Sequence, residues 1–331
     1  MQIKSILTAL VIASPIMASP LTIQPLHAQP AISRMTMVVG APPGGSADAA
    51  VRIVAEQLHQ DLKITVLVEN RPGADMLLAT QYVSKRPPNG DTILYLPSGP
   101  ATINPLVHPA NAIDVTVGLT PLSMMVTAPL LLLVSKEQPV TGMRAFVDYA
   151  KKRPGELNYA SAATTHQVAT EMLMMATGIK LTPVQYTGTA RSLAALLANE
   201  VQVGVLDIGS VSETVKSGGV RALSVASAER AAILPDVVTA SEAGYPVFDM
   251  ETWGALFGPP GMSKDLVKSL NGAIVRVIEN EKVKGQLSAL GLQPMPSTPD
   301  QLVERINIDQ LKFAKVLKYA KDKQDADRGS R

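Results

Sequence analysis

The stretch Met35-Thr-Met-Val-Val-Gly-Ala-Pro-Pro-Gly-Gly-Ser-Ala-Asp-Ala-Ala-Val-Arg52 decides the fold. Its first residues are mostly apolar and predict a short buried strand over 35–39. A Pro/Gly turn follows, and a helix is expected to start near Ser46. Gly44 and Gly45 permit backbone geometry, and a close approach, that a Cβ would forbid. Ser46 suits an N-cap, and Asp48 falls in the first turn, where negative charge meets the positive end of the helix dipole. Unpaired N–H groups at such a helix start favour a bound anion. Pro43, Gly44, Gly45, Ser46, Ala47 and Asp48 are therefore candidate contacts for a small carboxylate or phosphate. The same turn also serves as a plain strand-to-helix connection.

Outward from this unit the alternation of strand and helix continues, which predicts an α/β protein with parallel sheets. Strands are read over 64–69, 92–96, 130–134, 157–160, 183–186, 201–206 and 222–226. Helices are read over 49–58, 76–84, 141–152, 168–176, 190–198, 211–216, 266–278 and 299–319. The chain has 331 residues, 46% of them hydrophobic, enough for two cores. Two successive α/β units imply two lobes with a cleft between them, a common place for a ligand. The polar segment 321–331 is expected to be disordered.

The N-terminus points to export. Lys4 gives a weakly positive start, an apolar run follows over 6–13, Pro15 breaks it, and Leu26-His-Ala-Gln29 offers a cleavage site after Ala28. The run is far short of the roughly 20 residues that span a bilayer. A periplasmic mature protein is expected, with an uncleaved interfacial anchor as the rival reading. Lys plus Arg number 30 against 28 Asp plus Glu, and no basic run is interleaved with aromatics, so nucleic acid is not an expected partner.

Enzymatic signatures are missing. With no cysteine, disulfides, thiolate metal sites and cysteine nucleophiles are excluded. There is no Gly-Lys-Ser/Thr after the glycines and no dinucleotide fingerprint. No Gly-x-Ser-x-Gly or His-Glu-x-x-His occurs either. No catalytic residue, metal or cofactor is expected.

A second junction resembles the first in its chemistry. Tyr159-Ala-Ser-Ala-Ala-Thr-Thr-His166 is small and hydroxyl-rich and leads into a helix. Ser161, Thr164, Thr165 and His166 can offer N–H and O–H groups to an anion, or simply start the helix. Ser98, Tyr186, Gly188 and Asp207 complete the candidate set, with Tyr186 and Asp207 shaping or orienting the ligand. Asp207 can instead cap the helix that follows it. Asp75 poses the same choice: it caps the helix over 76–84, or it faces the cleft and favours a cationic group on the ligand.

Further segments carry a resemblance. Val38 to Arg52 is like V-x-x-x-x-G-G-x-x-D-x-x-A-R, and Val66-Leu-Val-Glu-Asn-Arg-Pro-Gly-Ala74 is like V-x-V-E-N-R-P-G-A. Pro88-Asn-Gly-Asp-Thr-Ile-Leu94, Pro154-Gly-Glu-Leu-Asn-Tyr-Ala-Ser161 and Gly219-Val-Arg-Ala-Leu-Ser-Val225 follow, then Arg230. Leu234-Pro-Asp-Val-Val-Thr-Ala-Ser-Glu-Ala-Gly244, Trp253-Gly254 and Pro259-Pro-Gly261 complete the order. The ordered set resembles the Bug family, the extracytoplasmic solute receptors of tripartite tricarboxylate transporters.

The resemblance implies a two-lobed periplasmic-binding-protein fold, type II like, each lobe a mostly parallel sheet flanked by helices. Crossovers would fall near 125–129 and 245–253, with a first lobe over 29–127, a second over 128–246 and a return to the first over 247–320. Implied ligands are small organic acids or amino acids, held by main-chain amides, hydroxyls and water. Implied partners are the membrane subunits of the transporter, which would receive a monomer closed over its ligand. A sensor subunit for a signalling kinase is the nearest alternative. An exported hydrolase is the other, and the missing nucleophile signature counts against it. Departures from the family fall at the site. Asp75-Met-Leu-Leu-Ala79 stands where glycines and Asn are usual, the loop before His166 is shorter and has lost its glycines, and Tyr186-Thr-Gly188 replaces Tyr-Lys-Gly.

Overall fold

The computed structural model describes residues 32–110 and 112–329, so the expected signal peptide over 1–28 lies outside the described residues. The first half runs β1 (Arg34–Val39), α1 (Ser46–Leu62), β2 (Thr65–Asn70), α2 (Leu77–Ser84) and β3 (Thr92–Pro97). A π-helical turn over Gly99–Ile103, the short α3 (Asn104–Val107) and β4 (Thr120–Ser135) follow. Next come α4 (Met143–Lys151), β5 (Asn158–Ser161), α5 (Thr164–Thr177), β6 (Thr182–Gln185), α6 (Thr189–Leu197), β7 (Val203–Asp207), α7 (Ile208–Lys216) and β8 (Val220–Val225). The chain ends with β9 (Glu251–Gly258), α8 (Lys264–Glu279), α9 (Glu281–Ala289), β10 (Gln293–Pro294) and α10 (Pro299–Gly329).

The strands lie in the order β2-β1-β3-β9-β4-β7-β5-β6. Parallel pairing is confined to the two flanks, β2-β1-β3 and β7-β5-β6. The middle is antiparallel, because β4 and β9 are the strands that carry the chain between the lobes. β4 pairs with β9 up to Pro129 and then, from Leu130 on, with β7 and β8. One 16-residue strand thus leaves the first sheet and enters the second. Its apolar run is buried on both faces, with Leu130, Leu132 and Val134 in one core and Leu131 and Leu133 in another. That is why periodicity shows only a continuous apolar stretch there. The sheets are therefore mixed rather than mostly parallel.

Each lobe has its own core on either face of its sheet. Around the first sheet, α1 turns Val51, Val54 and Leu58 at helical spacing onto Met35, Met37 and α8. On the opposite face Val38, Leu94 and Leu96 pack with Trp253 and Phe257. Around the second, Phe146, Val147 and Leu173 cover Leu132 and Val205, and Leu196 and Val211 cover Leu131 and Leu206.

Beyond the longer β4, the π-helical turn, α3 and β10, three features differ from the sequence reading. β9 was expected as a crossover up to 253, and its two glycines mask a strand that continues to Gly258. α9 is capped by Asn280, whose Oδ1 accepts the N–H groups of Lys282 and Val283. α10 does not stop at 319 or lie wholly in the first lobe. At 31 residues it is about 45 Å long, and no proline stops it. Leu302 and Ile306 pack in the first lobe, Phe313 and Val316 in the second. Its last turns run through 321–329, where opposite charges spaced four apart (Lys318 and Asp322, Lys321 and Asp325) suit a helix.

Candidate ligand-binding cleft

The amides that matter belong to helix starts. α1 begins at Ser46 with Gly45 as an extended N-cap, and no side chain caps it. α5 begins at Thr164 on the extended Ala163, again without a side-chain cap. α7 begins at Ile208 after Asp207, whose side chain makes no capping bond. The first N–H groups of a helix have no partner within it. Residues from these three starts line one cavity of about 240 Å³: Ser46 and Ala47, then Ala163, Thr165 and His166, then Asp207, Gly209 and Ser210.

The rest of the wall comes from strand ends and the crossovers. Tyr95, Ser98 and Gly99 stand on the first lobe, while Val126, Ala128, Thr252 and Gly254 form the floor. Lobe contacts around the cavity are close. A Cβ at Gly99 would collide with the Thr165 hydroxyl, and one at Gly209 with the Leu290 carbonyl oxygen. Ser98 Oγ accepts the Trp253 N–H at 3.4 Å, and the Trp253 indole donates to Asp309 Oδ2 at 2.6 Å behind the floor.

Among the described residues, the cavity wall contains no Lys and no Arg. Its titratable acidic and imidazole groups among the described residues include Asp75, Asp207 and His166. His166 Nε2 donates to Asp207 Oδ2 at 2.9 Å, and the Thr189 hydroxyl donates to the same oxygen at 3.2 Å. Burial pushes the Asp207 carboxyl up, but the charge and hydrogen bond of His166, with Thr189, outweigh it and hold the group below its ordinary range. Across the cleft the Tyr95 phenol is pushed up by burial and then by the negative charge of Asp207. It stays neutral at physiological pH and keeps an O–H to donate. His166 is buried, and its Nδ1 makes no hydrogen bond among the described residues.

Of the candidates read from the sequence, the fold brings Ser46, Ala47, Ser98, Thr165, His166 and Asp207 into the cavity wall. Pro43, Gly44 and Gly45 form the exposed turn outside that wall. Asp48 is buried behind the turn, where it accepts the Gly44 N–H at 2.9 Å. Ser161 is buried at the end of β5, its hydroxyl without a partner among the described residues, and Thr164 precedes the lining residue Thr165. Tyr186 packs on the second-lobe core, and Gly188 is the N-cap of α6, which supports Asp207 through Thr189. Tyr95, Met76, Gly209, Ser210 and the 252–254 floor were not legible as site residues. Only Trp253-Gly254 carried a signal, as part of the family motif.

Replacing Asp207 by Ala leaves His166 buried with neither ring nitrogen paired. Because the Asp207 side chain is 37% exposed, the expected loss is modest, about 1–2 kcal/mol in a urea melt at pH 7. Asp207→Asn, which can still bond His166 and Thr189, should recover most of it.

Two lobes, a crossover floor and a cavity ringed by helix starts define a solute-binding protein of the periplasmic type. The profile described as Tripartite tricarboxylate transporter family receptor matches residues 50–320, and the chain belongs to that family. BugT of Bordetella pertussis is 31% identical to it over 268 residues, 80% of this chain and 82% of BugT. An R. palustris protein solved with adipate is 28% identical, with a TM-score of 0.78 over 87% of this chain and 97% of the other. MatC from Rhodopseudomonas palustris, solved with bound malate, is 27% identical, with a TM-score of 0.74 over 86% and 98%. The family is one of solute receptors, not of enzymes. No described helix is long and apolar enough to cross a membrane.

Proposed function

We propose that this chain is the extracytoplasmic receptor that captures a small organic acid for a tripartite tricarboxylate-type transporter. The observation that carries the reading is the convergence of three helix N-termini on a cavity that has no Lys or Arg among the described residues. Such a site binds an anion through backbone amides and dipoles and adds no mobile cation. A carboxylate is captured between Ser46-Ala47 on one side and Thr165 with Ser210 on the other. Tyr95 and Ser98 offer further hydrogen bonds. The adipate and malate of the two relatives support this ligand class.

The lobes rock about Pro129, where β4 passes from the first sheet to the second, and Glu251, where β9 begins, and the closed form is presented to the membrane subunits. Export through the leader over 1–28, with cleavage after Ala28, places the mature monomer in the periplasm. Binding is favoured over hydrolysis because, among the described residues, no hydroxyl bonds the His166 ring, so the His166–Asp207 pair has no activated nucleophile beside it. The test is a thermal-shift screen of the mature protein against di- and tricarboxylates and amino acids. A ligand that binds only the native state stabilises it by about 2.7 kcal/mol at 100 times its Kd. A clear shift is expected with at least one acid. Absence of any shift, in a sample freed of co-purified ligand by unfolding and refolding, would refute the reading.

A further inference from the structure

One carboxylate in the cleft has no counter-charge among the described residues. Asp75 lines the cavity beside Met76, at its border with a neighbouring hollow lined by Asn104 and His108; its side chain is exposed, and its carboxylate forms no hydrogen bond or ion pair among the described residues. The other carboxylate, Asp207, is already paired with His166. The sequence leaves Asp75 a second role, as the cap of α2. The structure excludes it: the N-cap is Met76, and no side chain caps that helix.

The backbone there is held in an unusual state. Ala74, Asp75 and Met76 are consecutive non-glycine residues with φ of 47°, 49° and 66°. Left-handed conformations of such residues are strained and persist only where the surroundings impose them. Asn104 Nδ2 donates to the Asp75 carbonyl at 3.2 Å, and Met76 lies against Gly40, where a Cβ would come within 2.6 Å of Met76 Cβ. The loop is thus anchored through its main chain and Met76, while the carboxylate is left unused at the cavity wall. Closing the lobes around a ligand with only carboxylates would strip water from Asp75 and give it no counter-charge.

We infer that the ligand of this chain carries an ammonium group set against Asp75, with its carboxylate at the helix starts: an amino acid rather than a plain di- or tricarboxylate. The inference rests on the carboxylate-receptor reading above. Met76 supplies the apolar contact for the methylenes between the two charges.

The test is titration calorimetry of the wild type and Asp75→Asn. Succinate and adipate are compared with aspartate, 4-aminobutyrate, 2-aminoadipate and 6-aminohexanoate. At least one amino compound is expected to bind about tenfold or more tightly than the diacid of its length, the weight of one hydrogen bond to a charged group. Asp75→Asn should remove that preference and leave the diacids binding equally well or better. Diacids that bind the wild type as tightly as every amino compound would overturn the inference and leave the receptor reading intact. A preference that survives in Asp75→Asn would overturn it too. If no acid of either kind binds, the receptor reading falls and takes this inference with it.

Discussion

Gly209→Ala is expected to weaken ligand binding about tenfold to a hundredfold while leaving the fold as stable as before, or slightly more so. Gly209 is the second residue of α7, whose Ile208 and Val211 belong to the second-lobe core. A Cβ there would run into the Leu290 carbonyl oxygen, in the turn after α9 that packs in the first lobe. Gly291, with φ of 73°, completes the contact, since its own Cβ would lie 3.0 Å from Gly209 Cα. The two glycines let the lobes meet beside the cavity. Because the obstacle is backbone, it cannot rotate aside, so the added methyl group must hold the lobes apart. Within α7 alanine is the better helix former, by up to about 1 kcal/mol. Affinity and stability should therefore move in different directions, which a folding defect would not produce. Calorimetry with the ligand found in the screen, beside thermal melts, reads both. Gly99→Ala faces only the Thr165 side chain and should be milder. Wild-type affinity in Gly209→Ala would mean that binding does not need this contact.

Much of the architecture is legible because its signals are local. A strand, two glycines and a serine in twelve residues are enough to place β1 and the start of α1, and a hydroxyl-rich run places α5. The site is legible to the same extent and no further. Ser46, Ala47, Thr165 and His166 sit at helix starts that the sequence announces. Tyr95 and Thr252 do not, because their place in the wall follows from β9 pairing antiparallel to both β3 and β4 across long separations. The pairing of His166 with Asp207 spans 41 residues and leaves no local trace. In the first turn the glycines also differ in what they do. Gly44 has φ of 87° and needs to be glycine, whereas Gly45 is extended at φ of −82° with open space where a Cβ would stand. Asp48 looked like a ligand contact because it shares the anion-binding motif. The spacing to Arg52, four residues on, was the available sign of a different task.

That task makes Asp48→Ala the second large effect. Asp48 Oδ2 accepts the Gly44 N–H at 2.9 Å and Arg52 Nε at 3.0 Å, and Oδ1 accepts Asn70 Nδ2 at 2.9 Å. Asn70 Nδ2 also donates to the Ala41 carbonyl at 3.1 Å, so one carboxylate and one amide brace both ends of the Pro-Pro-Gly turn. The Arg52 hydrogen bond is the main reason the Asp48 carboxyl lies at about 2 rather than 3.8; burial opposes it, and Gly44 and Asn70 add to it. A carboxyl lowered on folding stabilises the native state above its unfolded pKa and loses that contribution as pH falls through the folded one. The stabilisation is therefore complete above about pH 5 and fades between about pH 4 and 2. With allowance for solvent screening at the half-exposed Arg52, it amounts to about 1–2 kcal/mol. Asp48→Ala should cost about 2 kcal/mol at pH 7, once the unbraced Gly44 and Asn70 donors are included. The gap to the wild type should narrow at pH 2.5. Urea melts of both proteins at the two pH values measure it, and an equal gap at both would show that the brace does not depend on the Asp48 charge. The same substitution should weaken ligand binding, because Ser46 and Ala47 hang from the turn that Asp48 holds in place.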